Sequence, residues 1–391
     1  MTRGRAFAVA SFEQGSGANR RLTLVLGLIV GAACLLGLRN MIAGFPAGID
    51  FEIPLRAASR WAAGSQAYPP SAMQVQSGPD LPFLYPPFLL PLLAPLAALP
   101  RDIVTGTWLI LCAACGVWTC RRLAIPWVAV PFVLAWPPFS EGLITGNVQI
   151  WSFAAFVALL YGPANGALRQ RTFVPAQDAL NGVLAVGVGA LKVTQLLPVL
   201  YLARRRRRAV LVGIGAMAAL VIAMLPLTGT VVYGDWLAQL YRAADPAWAI
   251  GGVGIGRRLG LPDLVPVVLG IVVALSIRGR DSAAWLGIAL LTAMPGVHGY
   301  AFLFLLPGLL TVRRDFSLLL AVLCLGVDDP LARWTCYLLV TCCLVAMHRW
   351  KWLRQAARPQ PFQAGDWRYS ADALEDGRAK SGSVEGPSGS V

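Results

Sequence analysis

A few polar side chains interrupt an otherwise apolar chain, and their types point to chemistry on an anion and on hydroxyl groups. Asp50 lies in Gly48-Ile49-Asp50-Phe51-Glu52-Ile53-Pro54, shortly after a hydrophobic stretch that ends at Leu38. A carboxylate held at the edge of a low-dielectric region is costly and tends to be kept for a task. Capping of the short helix that follows is the plainer reading, and both stay open. Lys192 sits mid-run in Val188-Gly189-Ala190-Leu191-Lys192-Val193-Thr194-Gln195. An ammonium at membrane depth costs about 2.5–3.5 kcal/mol unless it meets an anion or a wet cavity, so an anion-binding role is expected. His298, in Pro295-Gly296-Val297-His298-Gly299-Tyr300, and His348 are the two histidines. A lone loop histidine is more often structural than functional. Gly146-Asn147-Val148-Gln149 opens an apolar run with two carboxamides suited to hydroxyl groups, or simply to capping that helix. Tyr85-Pro86-Pro87 opens another; its prolines break regular helix, free backbone carbonyls and set the tyrosine hydroxyl near the interface.

The elements that must position these groups are membrane helices. The chain is 57% hydrophobic and 13% charged, with mean hydropathy +0.63, against roughly 25% charged in soluble domains. The fold class is therefore all-α, a polytopic membrane protein with about 10–12 spans of some 20 residues. Spans are expected near 22–38, 83–100, 103–120, 123–139, 147–162, 180–203, 209–228, 263–277, 282–295, 299–312, 316–331 and 334–349. Ahead of the first, residues 1–20 form a polar tail whose arginines place it in the cytoplasm. The membrane domain runs over 21–350, with long external loops at 39–82 and 229–262, and a disordered cytoplasmic tail follows over 351–391.

The formal charge of +14 does not indicate nucleic acid. Basic residues cluster at the ends of apolar runs (Arg204 to Arg208, Arg278 and Arg280, Arg313 and Arg314), as in positive-inside loops. Two groups fit this alternation poorly, because it puts Arg121-Arg122 and Arg169/Arg171 outside. Within the first loop, Phe51 to Ala63 reads as an interfacial amphipathic helix. Phe51, Leu55, Ala58 and Ala62 share one face, Glu52, Arg56 and Arg60 another, with Pro54 in the first turn and Trp61 as anchor.

Motifs of soluble catalysis are missing: no phosphate-binding loop and no nucleophile elbow. Gly251 to Gly256 is glycine-rich but lacks the strand and acid that a nucleotide site needs, and reads as a flexible external loop. Cys112-x-x-Cys115 has no second pair or nearby histidine, so the cysteines read as small buried hydrophobes. With no carboxylate or histidine cluster at ligand spacing, no metal site and no cofactor are assigned.

The order of these pieces resembles glycosyltransferase family 87, polyprenol-phosphate-mannose-dependent α-mannosyltransferases of the GT-C fold. The resemblance rests on Asp50-Phe51, Arg56-Ala57-Ala58 and Ala67-Tyr68, then on Phe83-Leu84-Tyr85-Pro86-Pro87 and Pro95-Leu96-Ala97-Ala98-Leu99-Pro100. It continues with Gly146-Asn147-Val148-Gln149 (amides exchanged), Lys192 with the proline shifted to Pro198, and Pro295 with His298. It spans roughly residues 22–350. The resemblance implies transfer of a sugar, mannose favoured, from a polyprenyl-phosphate donor to a lipid or glycan acceptor at the outer face of the plasma membrane. The lipid-linked sugar is a substrate, and membrane lipids are the remaining partners. Asp50 would be the general base in inverting attack, with Lys192 and His298 on the donor phosphate. Tyr85, Asn147 and Gln149 would hold sugar or lipid groups, and Arg121 and Arg122 are weaker phosphate candidates. A transporter or flippase of lipid-linked saccharides is the alternative, disfavoured by the lack of internal symmetry; a non-catalytic assembly partner is another.

Overall fold

The computed structural model describes residues 46–75, 78–161, 175–192, 195–243, 254–277, 281–294, 296–312 and 330–356, with scattered residues between 25 and 44. The expected spans 22–38 and 316–331 lie largely outside them, as do the N-terminal tail, Pro295, Arg169/Arg171 and residues 357–391. The chain divides into two units, residues 1–343 and 344–391. In the second, the described residues 344–356 are helical.

The described residues are all-helical. In order they form α1 (Ile49–Ala62), α2 (Leu89–Ala97), α3 (Arg101–Arg122), α4 (Val130–Ala135), α5 (Pro137–Thr145), α6 (Gln149–Tyr161) and α7 (Pro175–Leu191). There follow α8 (Leu197–Arg205), α9 (Arg207–Ala243), α10 (Ile255–Arg258), α11 (Leu264–Ser276), α12 (Ser282–Ala293), α13 (Leu306–Val312) and α14 (Pro330–Ala356). Helices α3 and α9 are long and apolar enough to cross a membrane unaided, and Trp127–Ala135 with Pro137–Thr145 passes as a pair bent by 72°. Most of the others are apolar but short.

Residues 83–100 do not form a spanning helix. Residues 83–86 are irregular, the chain turns at Pro86-Pro87, where Leu89 N donates to Pro86 O at 3.2 Å, and only the nine residues of α2 are helical, with Pro95 among them. Helix α2 packs along α1. The chain therefore enters α3 beside α1, where Arg101 Nη2 donates to Ser59 Oγ at 3.2 Å. The 22 residues of α3 then carry the chain away by about 33 Å, at about 1.5 Å per residue. Arg121 and Arg122 close its far end, opposite Asp50. Arg101 thus lies at the same end of α3 as Asp50, whereas the expected spans separated those two and put Arg121-Arg122 on Asp50's side.

Helix direction alternates from there. The bent pair α4–α5 returns to α1, where Gly48 N donates to Ile144 O at 2.8 Å. Helix α6 leaves, α7 comes back to Lys192, and α8 leaves again to Arg204 and Arg205. Helices α7 and α9 run side by side with backbones almost touching: a Cβ on Gly182 would collide with the Ala209 carbonyl, and one on Gly213 with the Gly182 carbonyl.

The expected loop 229–262 is helical as far as Ala243. Gly229, at φ 71° and ψ 164°, breaks α9 without ending it, in a conformation glycine reaches without steric cost. Beyond the break, Val232 and Trp236 pack with Ala57, Ala58, Tyr68 and Phe83. The described end of the glycine-rich run, Gly254 to Gly256, is not loose. It leads into α10, where Arg257 grips Asp263 with both Nε (2.8 Å) and Nη2 (2.6 Å). Of the six described cysteines, Cys112, Cys120 and Cys336 are buried, and all six are free thiols.

Candidate active site

Asp50 is not the cap of α1. The capping position is Gly48 in a left-handed conformation (φ 76°), and Asp50 falls within the first helical turn. Gly48 is required there, because a Cβ would collide with Thr105 Cγ2. Two further ties hold this helix start in place. Phe51 stacks on Trp108 with ring centroids 4.3 Å apart, and Trp108 Nε1 donates to Gly146 O at 2.7 Å. Pro54 lies inside α1 rather than in its first turn. It has no N–H to give the Asp50 carbonyl four residues earlier.

The Asp50 carboxylate is held from the turn that leads into α6. Asn147 Nδ2 donates to Asp50 Oδ2 at 2.8 Å. The opposite side of the same amide, Oδ1, accepts from the Gln149 backbone N–H at 2.8 Å, an Asx-type contact that fixes which atom faces the carboxylate. Asn147 thus does both things open to it, supporting its helix start and serving a neighbour.

Gln149 is fully buried, and its Oε1 accepts from Lys192 Nζ at 3.0 Å and Gln195 Nε2 at 2.9 Å. Its own Nε2 is buried and has no partner among the described residues. Lys192 follows directly on α7, where the helical ladder ends. The ammonium lies 5.1 Å from the Tyr300 ring centroid, and among the described residues no carboxylate lies within ion-pair distance of it. Its charge therefore rests on a neutral amide and an aromatic face, with Asp50 acting from further off.

Tyr300 stands on the 3₁₀ turn Gly299–Leu305, and His298 is the residue capping that turn. The two rings stack at 5.0 Å, 9° from parallel. His298 thus joins the site through Tyr300. Tyr85 joins through the field of Asp50, and its segment is held by the carbonyls its prolines release. Gln239 Nε2 donates to Phe83 O (3.3 Å), Trp236 Nε1 to Leu84 O (3.0 Å) and Tyr68 Oη to Tyr85 O (2.7 Å).

The six residues expected from sequence thus gather around one array: Asp50, Asn147, Gln149 and Lys192 along continuous hydrogen bonds, with His298 and Tyr85 at its margins. Arg121 and Arg122 are elsewhere. Arg121 donates to Ile125 O at 2.8 Å and covers Trp127, and Arg122 covers Trp118. Gln195 and Tyr300 were not singled out from sequence. The spacing of Gln195 from Lys192 was the available signal for the first; an aromatic at the head of an apolar run gave none for the second.

Such an apolar helical scaffold, with a carboxylate and an ammonium inside it, defines a membrane protein with an embedded polar site. The family model for glycosyltransferase family 87 matches residues 83–327, more than half of the sequence, and the chain belongs to that family. It is a membrane glycosyltransferase, working between a sugar donor and an acceptor. No curated protein and no solved structure matches it. Tyr85, Asn147, Gln149, Lys192 and His298 fall within the matched segment; Asp50 precedes it.

Proposed function

We propose that the protein transfers a sugar, mannose in the first instance, from a polyprenyl-phosphate donor to a hydroxyl of a lipid or glycan acceptor, with inversion, at the outer face of the plasma membrane. The observation that carries this reading is the array itself, with a carboxylate at one end, an ammonium with no carboxylate partner among the described residues at the other, and amides between. Asp50 takes the acceptor hydroxyl proton. The acceptor oxygen bonds to the anomeric carbon as the anomeric C–O bond breaks, and the electron pair leaves on the polyprenyl phosphate. Lys192 stabilises that leaving charge in a water-poor site, and His298 hydrogen-bonds the phosphate. A phosphate leaves without strong acid assistance, so one carboxylate suffices, unlike the usual pair in glycoside hydrolysis. Tyr85, Asn147 and Gln149 contact sugar or lipid groups. The outer-face assignment draws on the arginines that close the ends of α3 and α8 away from Asp50.

The test is transfer of radiolabelled sugar from polyprenyl phosphate in membranes containing the protein. Asp50→Asn should lower transfer by about 10²–10⁴-fold, the usual worth of a positioned base, with membrane insertion intact. Lys192→Ala should raise the donor KM while the acceptor KM holds. Undiminished transfer by Asp50→Asn removes Asp50 from the role of base.

A further inference from the structure

The Gln149 amide has one end doubly occupied and the other open. Its Oε1 accepts from Lys192 Nζ at 3.0 Å and from Gln195 Nε2 at 2.9 Å. Its Nε2 is buried with no partner among the described residues. Both glutamines are buried, Gln149 at 0% exposure and Gln195 at 1%. We infer that Gln195 is a positioning residue, holding the Gln149 amide so that its Nε2 donates to a phosphate oxygen of the sugar donor beside Lys192. That role rests on the donor proposed above and narrows the Gln149 contact to its phosphate.

Lys192 determines which end of the amide is which. An ammonium only donates, so the Gln149 atom it meets is the oxygen, and the Gln195 atom facing that oxygen is an N–H. The two ends of an amide are about 2.2 Å apart. Gln149 Nε2 therefore lies no more than roughly 5 Å from the ammonium, a gap that one phosphate bridges with two of its oxygens. A buried N–H left unpaired is costly, and an arriving acceptor removes that cost. Lys192 cannot hold the amide through this step, because the phosphate competes for its ammonium. Gln195 is neutral, and its donation to Oε1 survives the exchange. The turn between α7 and α8 delivers it there, with Gln195 N donating to Lys192 O at 2.7 Å. A sugar hydroxyl would satisfy the same Nε2, but the nearby ammonium favours the phosphate. The bland alternative is that Gln195 merely ties this turn to α6. It predicts lower stability and no preference between charged and uncharged ligands.

Binding to the purified chain, read by native mass spectrometry, separates these readings with three probes: polyprenyl phosphate, the same lipid carrying mannose, and uncharged polyprenol. Gln195→Met keeps the length of the side chain and removes its N–H. It should weaken polyprenyl phosphate and the mannosylated lipid alike, by about tenfold, the scale of a hydrogen bond to a charged group, and leave polyprenol within about twofold. Gln149→Met should lose tenfold or more. The double variant should lose less than about twofold beyond Gln149→Met, because Gln195 acts through Gln149. In transfer, Gln195→Met should raise the donor KM about tenfold with the acceptor KM unchanged. Gln195→Glu keeps size and shape but sets an acceptor against Oε1, and should lose polyprenyl phosphate at least as strongly. It decides the matter if the Met variant does not purify. Loss confined to the mannosylated lipid, equal loss for polyprenol, or fully multiplicative losses in the double variant would each overturn the inference. Undiminished polyprenyl phosphate binding by Gln195→Met would overturn it alone and leave the transferase reading intact. Wild-type binding without transfer would overturn the transferase reading alone, and a wild type that binds no polyprenyl phosphate would overturn both.

Discussion

Asn147 donates its Nδ2 to Asp50 Oδ2 across 2.8 Å, joining positions 97 residues apart. Because its Oδ1 is committed to the Gln149 backbone N–H, the amide cannot turn round without losing a bond. The carboxylate of α1 is thus registered against the start of α6, and through Gln149 against Lys192.

Removing that donor should affect turnover more than binding. A hydrogen bond to a charged group is worth about 1.5–3 kcal/mol, which converts to roughly 10–100-fold in rate. Asn147→Ala is therefore expected to lower kcat by that factor while the chain still inserts and purifies. Asn147→Asp sets a second carboxylate against Asp50 and should be worse. Steady-state transfer by both variants is the measurement; an alanine variant with wild-type kcat would show that Asp50 needs no such support.

A second expectation concerns Gln149. Its amide accepts from Lys192 without compensating the charge. Gln149→Glu would place a carboxylate within the same 3.0 Å of the ammonium and satisfy it internally. The donor phosphate then competes with a built-in anion, so the donor KM should rise by about tenfold or more, with the acceptor KM unchanged. A donor KM equal to the wild type's would argue that Lys192 does not meet the phosphate.

Much of this site is legible in the sequence because polar groups in apolar runs are expensive and therefore conspicuous. Asp50, Asn147, Gln149 and Lys192 stand out on that ground alone. Tyr300 does not, since an aromatic among Val297, Ala301 and Phe302 reads as core. Gln195 hides behind the more costly Lys192. The capping role of Gly48 depends on Thr105 and Ile144, long-range partners that no local pattern reveals. Span reading failed at 83–100 for a different reason. Hydropathy counts Pro86, Pro87, Pro91 and Pro95 within an apolar run, whereas the backbone there supports only a nine-residue helix. That single miscount separated Arg101 from Asp50 and grouped Arg121-Arg122 with it, the reverse of their positions along α3.

The corrected topology can be checked directly. Gly64, just beyond α1, and Arg122, at the far end of α3, are both exposed. In a background with the native cysteines replaced, G64C should react in intact cells with a membrane-impermeant maleimide. The R122C variant should react only after permeabilisation. Labelling of both from one side would contradict an α3 that crosses the membrane.

The start of α1 gives the last expectation. Gly48 holds φ 76°, where an L-residue costs about 1–2 kcal/mol, and a Cβ there would also strike Thr105 Cγ2. Gly48→Ala should therefore pull α1 away from Ile144 and Thr105, lower the melting temperature of the detergent-solubilised protein and depress transfer, since Asp50 is only two residues on. The two costs are separable. Thr105→Ala removes the obstructing methyl but leaves the backbone strain, so the double variant should recover part of the lost stability and stay below Thr105→Ala alone. Full recovery would mean the steric clash was the whole effect. No recovery would mean that the left-handed backbone, not the space beside Thr105, is what ties the helix carrying Asp50 to the end of α5.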